Sequence, residues 1–284
     1  MAFFVLLIAS AISLAPILLL VISSFTDSTA LVRNGYSFFP TNWSIEAYVY
    51  LWNRIGMILN AYGMSFLVTF LGTTVSLFFT CMLAYSLSND DLPGRKLISF
   101  LVYFTILFNG GLVPTYLLYT NYLKINDTFL SLILPNLLVR AYYVILIRNY
   151  YKGLPKSIIE AARIDGASEF KTFKNVVLPM AKPIIATVMM FTAIGYWNDW
   201  QNGLYYLSKR TDLYTIQNLL NRMISEIQYL SSGVMQGVSL DLSNFPSAAV
   251  RMAIAVIGVL PIIIVYPFIQ KNFAKGIIDG AVKG

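Results

Sequence analysis

Long uncharged apolar runs dominate the chain, and short charged segments separate them. An 18-residue or longer run of this kind is the usual signature of a membrane-crossing helix. We predict spans at about residues 2–25, 58–86, 97–121, 128–149, 183–206 and 251–271. The fourth span contains Arg140, and the fifth is interrupted by Asp199. The pattern predicts an all-α membrane protein with six transmembrane helices in a single domain over residues 1–284.

The composition agrees with this class. The chain is 57% hydrophobic and only 12% charged, whereas a soluble domain carries about 25% charged residues. The net charge of +7 is therefore interpreted through the loops that carry it, because basic loops orient membrane proteins, and not as a sign of nucleic-acid binding. The single cysteine, Cys81, lies in an apolar run, so we interpret it as a small packed side chain.

The first apolar run resembles a secretory leader only superficially. No Lys or Arg precedes Arg33, and a leader has an apolar region of only about 7–15 residues after a basic start. We interpret the run as a retained span, and we expect the natural chain to have an additional N-terminal tail.

The distribution of basic residues predicts the orientation. With a cytoplasmic N-terminus, twelve of the 20 Lys and Arg residues fall in cytoplasmic loops and seven in external loops. Basic residues favour the cytoplasmic side, so both termini are predicted to be cytoplasmic. Two external segments are long: 27–54, with interfacial aromatic residues, and 208–250, which is predicted to be loop-like.

Catalytic and metal-binding motifs are absent from the sequence. There is no histidine, which removes the commonest general base and metal ligand. A phosphate-binding G-x-x-x-x-G-K-[ST] loop is also missing, so the chain is not expected to bind ATP. We predict no catalytic residue, no metal site and no cofactor, and the energy for any transport must come from a partner.

The segment 153–179, here called the coupling loop, has a helix–glycine–helix pattern. Pro155 suits a first helical turn, and Ser157 and Glu160 have capping-box spacing. Gly166 suits a left-handed helix end, and a second amphipathic pattern stops before Pro179. The segment is predicted to be a compact cytoplasmic projection.

The spacing within the coupling loop resembles a known family. Glu160-Ala161-Ala162, Gly166, Val176 and Leu178-Pro179 match the E-A-A-x(3)-G-x(9)-I-x-L-P loop of binding-protein-dependent ABC importer permeases, with valine where isoleucine is usual. Segments 108–116, 196–200 and 266–284 further resemble permeases of complex and acidic oligosaccharides, of the aldouronate, alginate and rhamnogalacturonan type. The resemblance covers essentially the whole chain.

The resemblance implies a type I ABC importer permease fold and a set of residues that contact the ATPase. They are Glu160, Ala161, Ala162, Asp165, Gly166, Leu178, Pro179, Lys283 and Gly284. In the family this loop docks into a cleft of the ATP-hydrolysing subunit. Glu160 and Gly166 could instead only cap and end their helix, and Lys283-Gly284 could be a frayed terminus.

A second set of residues is predicted to line a substrate pathway. It comprises Tyr196, Trp197, Asn198, Asp199, Trp200, Arg140 and Asn109. Aromatic faces with amide and carboxylate groups suit sugars, although the aromatic residues could instead form an interfacial belt. Arg140 could attract an acidic sugar, pair with a partner subunit or bond to backbone. Asn109-Gly110-Gly111 before Pro114 is expected to break the third helix.

By resemblance the partners are a second homologous permease, an ABC ATPase dimer that binds ATP and Mg²⁺, an extracellular solute-binding protein, an oligosaccharide and membrane lipid. No nucleic-acid partner is expected. The location is the bacterial plasma membrane. An importer for a non-sugar solute and an ion-coupled transporter are the alternatives. An ion-coupled transporter needs several intramembrane acids or bases, and away from their ends the spans contain only Asp199 and Arg140. An enzyme or a passive membrane scaffold fits less well.

Overall fold

The computed structural model describes residues 2–231, 248–261 and 263–264. Over these residues the fold is helical, and the only strand-like pairing is an isolated antiparallel bridge between Thr26 and Trp43. The chain divides into two compact units. One contains the described residues up to Tyr62 and the described residues from Ile216 onward, and the other contains Gly63–Thr215.

The helices of the first unit begin with α1 (Ala2–Ser24), α2 (Ser28–Asn34) and α3 (Glu46–Trp52), followed by the start of α4 (Ile55–Ser88). Its later members are α14 (Ile216–Ser231) and α15 (Ala248–Pro261). Asp27 caps α2 by accepting from the Ala30 amide at 2.9 Å, and the Ser28 hydroxyl accepts from the Ala249 amide at 3.1 Å. These bonds satisfy polar groups where the connections turn.

The second unit contains most of α4 and the shorter helices that follow it. They are α5 (Arg95–Leu107), α6 (Leu112–Leu117), α7 (Leu130–Ile133), α8 (Ala141–Lys152), α9 (Lys156–Ile164), α10 (Glu169–Thr172), α11 (Leu178–Met180), α12 (Lys182–Trp197) and α13 (Gln201–Tyr206). Two single π-helical turns, Leu118–Tyr122 and Phe173–Val177, continue α6 and α10. A 3₁₀ turn, Thr211–Leu213, follows α13.

Two described helices are long and apolar enough to cross a membrane, Phe3–Ser24 and Ile55–Ser88. A third span is possible if Glu169–Met180 and Lys182–Trp197, which meet at 84°, are counted together. The predicted third, fourth and fifth spans are divided into shorter helices. The break at Asn109-Gly110-Gly111 is confirmed, since α5 ends at Leu107 and α6 begins at Leu112.

The predicted external loop at 208–250 is only partly a loop. Residues 216–231 form the four-turn helix α14, because apolar side chains recur at helical spacing and Ile216, Leu219 and Leu220 are buried. The polarity of its other face made the segment look loop-like. Residues 232–247 and most of 262–284, including the end of the sixth predicted span, lie outside the described residues.

The apolar core of the second unit joins α4, α8, the second half of the coupling loop and α12. Its buried members are Cys81, Ala84, Leu87, Val144, Ile147, Tyr151, Phe173, Val177, Ala181 and Val188. Because residues of the coupling loop belong to this core, the loop is packed onto the helices rather than attached only through its two ends.

Candidate functional site

The turn of the coupling loop has a defined geometry. Gly166 has φ of +79°, a left-handed conformation that glycine adopts without strain. The Gly166 amide donates to the Arg163 carbonyl at 3.0 Å, and the Ala167 amide donates to the Ala162 carbonyl at 3.0 Å. Together the two bonds form a Schellman motif, so the predicted left-handed helix end is confirmed.

The start of α9 differs from the prediction. Pro155 occupies the N-cap position, and no side chain caps the helix. Ser157 lies inside the first turn, so the capping box predicted from Ser157 and Glu160 was wrong. A proline N-cap fixes the backbone of the approach, and Glu160 is left exposed on the helix. The capping alternative for Glu160 therefore has no support in this geometry.

The second half of the coupling loop begins with a cap and ends in a sharp bend. The Ser168 hydroxyl accepts from the Lys171 amide, and α10, a π turn and α11 continue to Met180. Helical structure thus passes through Pro179 instead of stopping before it. The 84° bend to α12 follows at Ala181, whose side chain is fully buried.

The coupling loop exposes apolar side chains around its turn. Ile164 is 85% exposed, Phe170 57% and Ile158 44%. Ala161, Asp165 and Gly166 are exposed, and Ala162 is half-buried. Small and apolar residues on one rigid projection form a surface that suits close approach of another protein.

The remaining predicted contact residues are distributed unevenly. Leu178 is half-buried and Pro179 is exposed, at the foot of the loop. Lys283 and Gly284 lie outside the described residues, so their predicted contact with the ATPase stays a prediction.

Charged groups around the foot of the coupling loop are paired. Glu169 accepts from the Tyr85 hydroxyl at 2.7 Å and from Arg163 at 2.8 Å. The Tyr85 hydrogen bond and the Arg163 charge hold the pKa of Glu169 below its ordinary value. In the α4–α5 turn, Asp90 pairs with Arg95 and, at 3.2 Å, with Lys152.

A cavity of about 380 Å³ lies beside these ion pairs. Its lining includes Asp90, Lys152, Lys156, Glu160 and Arg163. Lys156 also approaches Asp90, at 3.8 Å. Glu160, the residue predicted to contact the ATPase, therefore borders a polar cleft at the base of the exposed projection.

A larger polar cavity, of about 460 Å³, lies among the broken helices of the second unit. It brings together five residues that were predicted to line a substrate pathway: Asn109, Arg140, Asn198, Asp199 and Trp200. The breaks in the predicted spans place them there. Non-helical backbone at membrane depth is tolerated only against protein or a water-filled cavity, and these breaks border the cavity.

Arg140 is the main charged group of the cavity wall. It lies at the N-cap of α8 with extended backbone, and its guanidinium packs against Gly195, where a Cβ would come within 3.4 Å of Nη2. The guanidinium carbon is 6.0 Å from the centre of the Tyr143 ring. Among the described residues it forms no hydrogen bond or ion pair, although it interacts electrostatically with Asp199 in the same cavity, so its donors are available to the cavity.

Asp199 has a local structural role as well. Its carboxylate accepts from the Asn202 amide at 3.5 Å at the start of α13. The side-chain amide of Asn202 in turn donates to the Pro135 carbonyl at 3.1 Å. Asp199 thus helps to shape the cavity wall that it lines.

Tyr196 and Trp197 lie outside the cavity lining. Tyr196 is 1% exposed, and its hydroxyl donates to the Ile133 carbonyl at 3.1 Å. The Trp197 ring is buried in an edge-to-face contact with Phe66 at 5.1 Å. The structure gives no support to their assignment to the substrate pathway, because α12 orients both side chains towards the buried packing behind the cavity.

Several lining residues were missed from the sequence. They are Gly111, Leu112, Thr115, Pro135, Asn136, Leu137, Gly195, Gln201, Asn202, Tyr205 and Tyr206. Pro135-Asn136 in the fourth apolar run was an available signal for a second helix break, and Asn136 has φ of +59°. Tyr206 extends the wall into an aromatic group, stacked on Tyr116 at 5.8 Å.

The fold and these sites define a mostly helical membrane protein with an exposed helix–glycine–helix segment at 153–179 and an internal polar cavity. The chain belongs to the family of binding-protein-dependent transport system inner membrane components, whose model matches residues 1–279. The predicted resemblance is confirmed. The chain is accordingly a multi-pass permease component of an ABC transporter in the plasma membrane, a non-catalytic subunit.

Named relatives cover nearly the whole chain. Protein LplC of Bacillus subtilis strain 168 is 37% identical over 96% of this chain and 90% of its own. The polygalacturonan/rhamnogalacturonan transport system permease protein YtcP of the same organism is 36% identical over 98% and 96%. A crystal structure of a bacterial ABC transporter involved in the import of the acidic polysaccharide alginate has a chain 28% identical, with a TM-score of 0.78 over 96% of this chain and 95% of that one.

Proposed function

We propose that this permease imports acidic oligosaccharides through the 460 Å³ cavity by alternating access. The observation that carries the proposal is Arg140, whose guanidinium faces the cavity without a described hydrogen-bond or ion-pair partner. Guanidinium donors match a carboxylate in a bidentate geometry. Asn109, Asn136 and Asn198 add groups that can both donate to and accept from sugar hydroxyls.

Relatives support this substrate class. YtcP is named for polygalacturonan and rhamnogalacturonan, and the structural neighbour takes part in import of alginate. These are polymers with a carboxylate on the sugar ring. An arginine inside a membrane protein is costly unless it has a partner. Asp199 lines the same cavity but forms no ion pair with Arg140, so a uronate carboxylate would supply a direct partner in transit.

The coupling loop is the proposed docking site of a separate ATPase dimer, which binds ATP and Mg²⁺. Exposed Ile164 and Phe170 would enter the ATPase cleft, with Glu160 as the polar contact. Packing of Phe173 and Val177 in the core would make the loop move with its helices as a rigid element. Lys283 and Gly284 are proposed as a second contact.

The arrangement in the membrane is proposed to be six spans with both termini in the cytoplasm, the broken helices counting as single spans. A second homologous permease would complete the pathway, and an extracellular solute-binding protein would deliver the sugar. ATP binding would close the ATPases and move the coupling loop. The cavity would then open outward, accept the sugar, and return to the inward state after hydrolysis.

The test begins with isolation of the chain from its native membranes in a mild detergent. We expect an ATPase and a second permease to co-purify. The complex, reconstituted with its binding protein in vesicles, should take up trigalacturonate in preference to the neutral methyl ester of the same trimer. Isolation of the chain alone would contradict the importer assembly, and preference for the neutral ester would contradict the role of Arg140.

A further inference from the structure

Glu169 connects three structural elements through one carboxylate. It is the first residue of α10. One oxygen pairs with Arg163 Nε on α9 at 2.8 Å, and the other accepts from the Tyr85 hydroxyl on α4 at 2.7 Å. Both oxygens are therefore used, one inside the coupling loop and one towards the long helix.

The surroundings hold this carboxylate in position. The Schellman turn at Gly166 sets the two helices of the loop against each other, and Ser168 caps α10 directly before Glu169. The Tyr85 ring lies 5.1 Å from the ring of Phe173, which is 5% exposed. Because packing fixes the tyrosine ring, its hydroxyl has a defined direction.

Helix α4 connects the Tyr85 contact with the packing behind the cavity wall. Gly72 lies thirteen residues before Tyr85 on the same helix, which corresponds to about 20 Å along its axis. An added Cβ at Gly72 would come within 2.6 Å of the Tyr196 ring, so helix and ring are in direct contact there. Tyr196 follows Gly195, against which the Arg140 guanidinium packs.

We propose that Glu169 is a positioning residue that fastens the coupling loop to α4 through Tyr85, so that movement of the loop is passed to the cavity wall. This inference rests on the proposed function, because it needs an ATPase to move the loop. Chain connections lead from the loop only to α8 and α12. The Glu169–Tyr85 bond adds a direct polar link to a third helix.

A bond that only stabilises the loop would have different consequences from one that transmits movement. Loss of stability lowers the amount of assembled transporter. Loss of transmission leaves the assembly intact but lets ATP hydrolysis proceed with less sugar moved. The ratio of ATP hydrolysed to sugar transported, measured per assembled complex, separates the two.

The first variant is Tyr85→Phe in the complete reconstituted transporter, with trigalacturonate as the transported sugar. It removes one hydroxyl and keeps the ring packing. We expect the ATPase to be retained and the ATP-to-sugar ratio to rise about 2- to 30-fold, the range that single residues in coupling networks reach. The matched control is Tyr142→Phe, since the Tyr142 hydroxyl bonds no described residue; its ratio should be unchanged.

Variants of Glu169 complete a double-mutant cycle. Glu169→Ala should raise the ratio at least as much as Tyr85→Phe, and the double variant should be no worse than Glu169→Ala alone. Glu169→Gln, which can still accept from Tyr85, should restore most of the coupling. An unchanged ratio in both single variants, with normal assembly, would overturn the inference. Failure of the wild-type chain to retain an ATPase would instead overturn the proposed function.

Discussion

The coupling loop and the polar cavity arrange their polar groups in opposite ways. In the loop, Arg163 and Glu169 pair with each other, the turn at Gly166 satisfies backbone groups, and apolar side chains such as Ile164 face outward. In the cavity, the apolar Tyr196 ring is buried behind the wall, and polar side chains face the open space.

The contrast indicates two kinds of partner. A projection that presents apolar side chains and pairs Arg163 with Glu169 internally suits burial against another protein. A wall of amides with a guanidinium suits a ligand that brings its own hydroxyls and charge. The predictions below test this division, beginning with the largest expected effect.

Gly166→Arg should abolish coupling. The turn requires φ of +79°, which costs an L-residue about 1–2 kcal/mol, and a long side chain would project from the docking surface. We expect sugar uptake to fall more than tenfold and retention of the ATPase to drop, both measured on purified complexes. Gly94→Arg is the matched control, since Gly94 is also left-handed, with φ of +74°, and has equally open surroundings.

Equal losses in the Gly94 and Gly166 variants would mean that backbone strain alone explains the effect. The Gly166 result would then give no evidence that the coupling loop is a docking surface.

Arg140→Gln should reduce uptake of trigalacturonate about tenfold or more, because a hydrogen bond to a charged group contributes about 1.5–3 kcal/mol. Uptake of the neutral methyl ester should change little. The measurement is initial uptake by reconstituted vesicles at limiting sugar. Arg33→Gln, in α2, is the control for net charge, and an equal loss for both sugars would contradict carboxylate recognition.

Gly72→Ala should destabilise the packing behind the cavity. The new methyl group would overlap the Tyr196 ring, with the closest carbon at 2.6 Å, and overpacking costs about 1–3 kcal/mol. A lower thermal midpoint of the detergent-solubilised protein would report it. Gly63→Ala in the same helix meets no atom within 4 Å and should be neutral or stabilising, since alanine favours helix. Equal midpoints would contradict the tight contact.

The sequence identified the coupling loop more fully than the cavity. Gly166 and its spacing depend on local backbone geometry, which a short motif encodes directly. The cavity depends on where broken helices meet. Asn109 was predicted through a glycine pair, the Pro135-Asn136 signal for a second break was missed, and Gly195 gave no comparable signal. Tyr196 and Trp197 are residue types that suit a sugar site. The rotation of α12 about its axis instead places both side chains in the packing behind the cavity.

Helix ends were also only partly predictable. Ser157 and Glu160 have capping-box spacing, but the N-cap position is occupied by Pro155. Proline has no side-chain acceptor and no backbone N–H, so neither hydrogen bond of a capping box can form there. Helix α14 was predicted as loop because its exposed face is polar, although its buried face carries the helical period.

The smallest expected effect concerns Asp127. Like Glu169 in the coupling loop, its carboxylate is hydrogen-bonded within the protein, here by the segment after α13. Its carboxylate accepts from the amides of Ser208 at 2.7 Å and Lys209 at 2.8 Å, and these amides hold its pKa below the ordinary value. Because the folded pKa is lowered, the stabilisation is present above the ordinary carboxyl pKa of about 4 and is lost as pH falls through the lowered value.

Asp127→Asn keeps an acceptor but removes the charge, and asparagine tolerates the φ of +52° found there. We expect modestly faster hydrogen exchange at the Ser208 and Lys209 amides at neutral pH, by mass spectrometry of the purified protein. The wild-type advantage should shrink as the pH approaches the lowered pKa, after correction for intrinsic exchange. Asp91→Asn is the control. Identical exchange in the Asp127 variant and the wild type would show that the charge does not hold this segment. The paired charges would then matter only in the coupling loop.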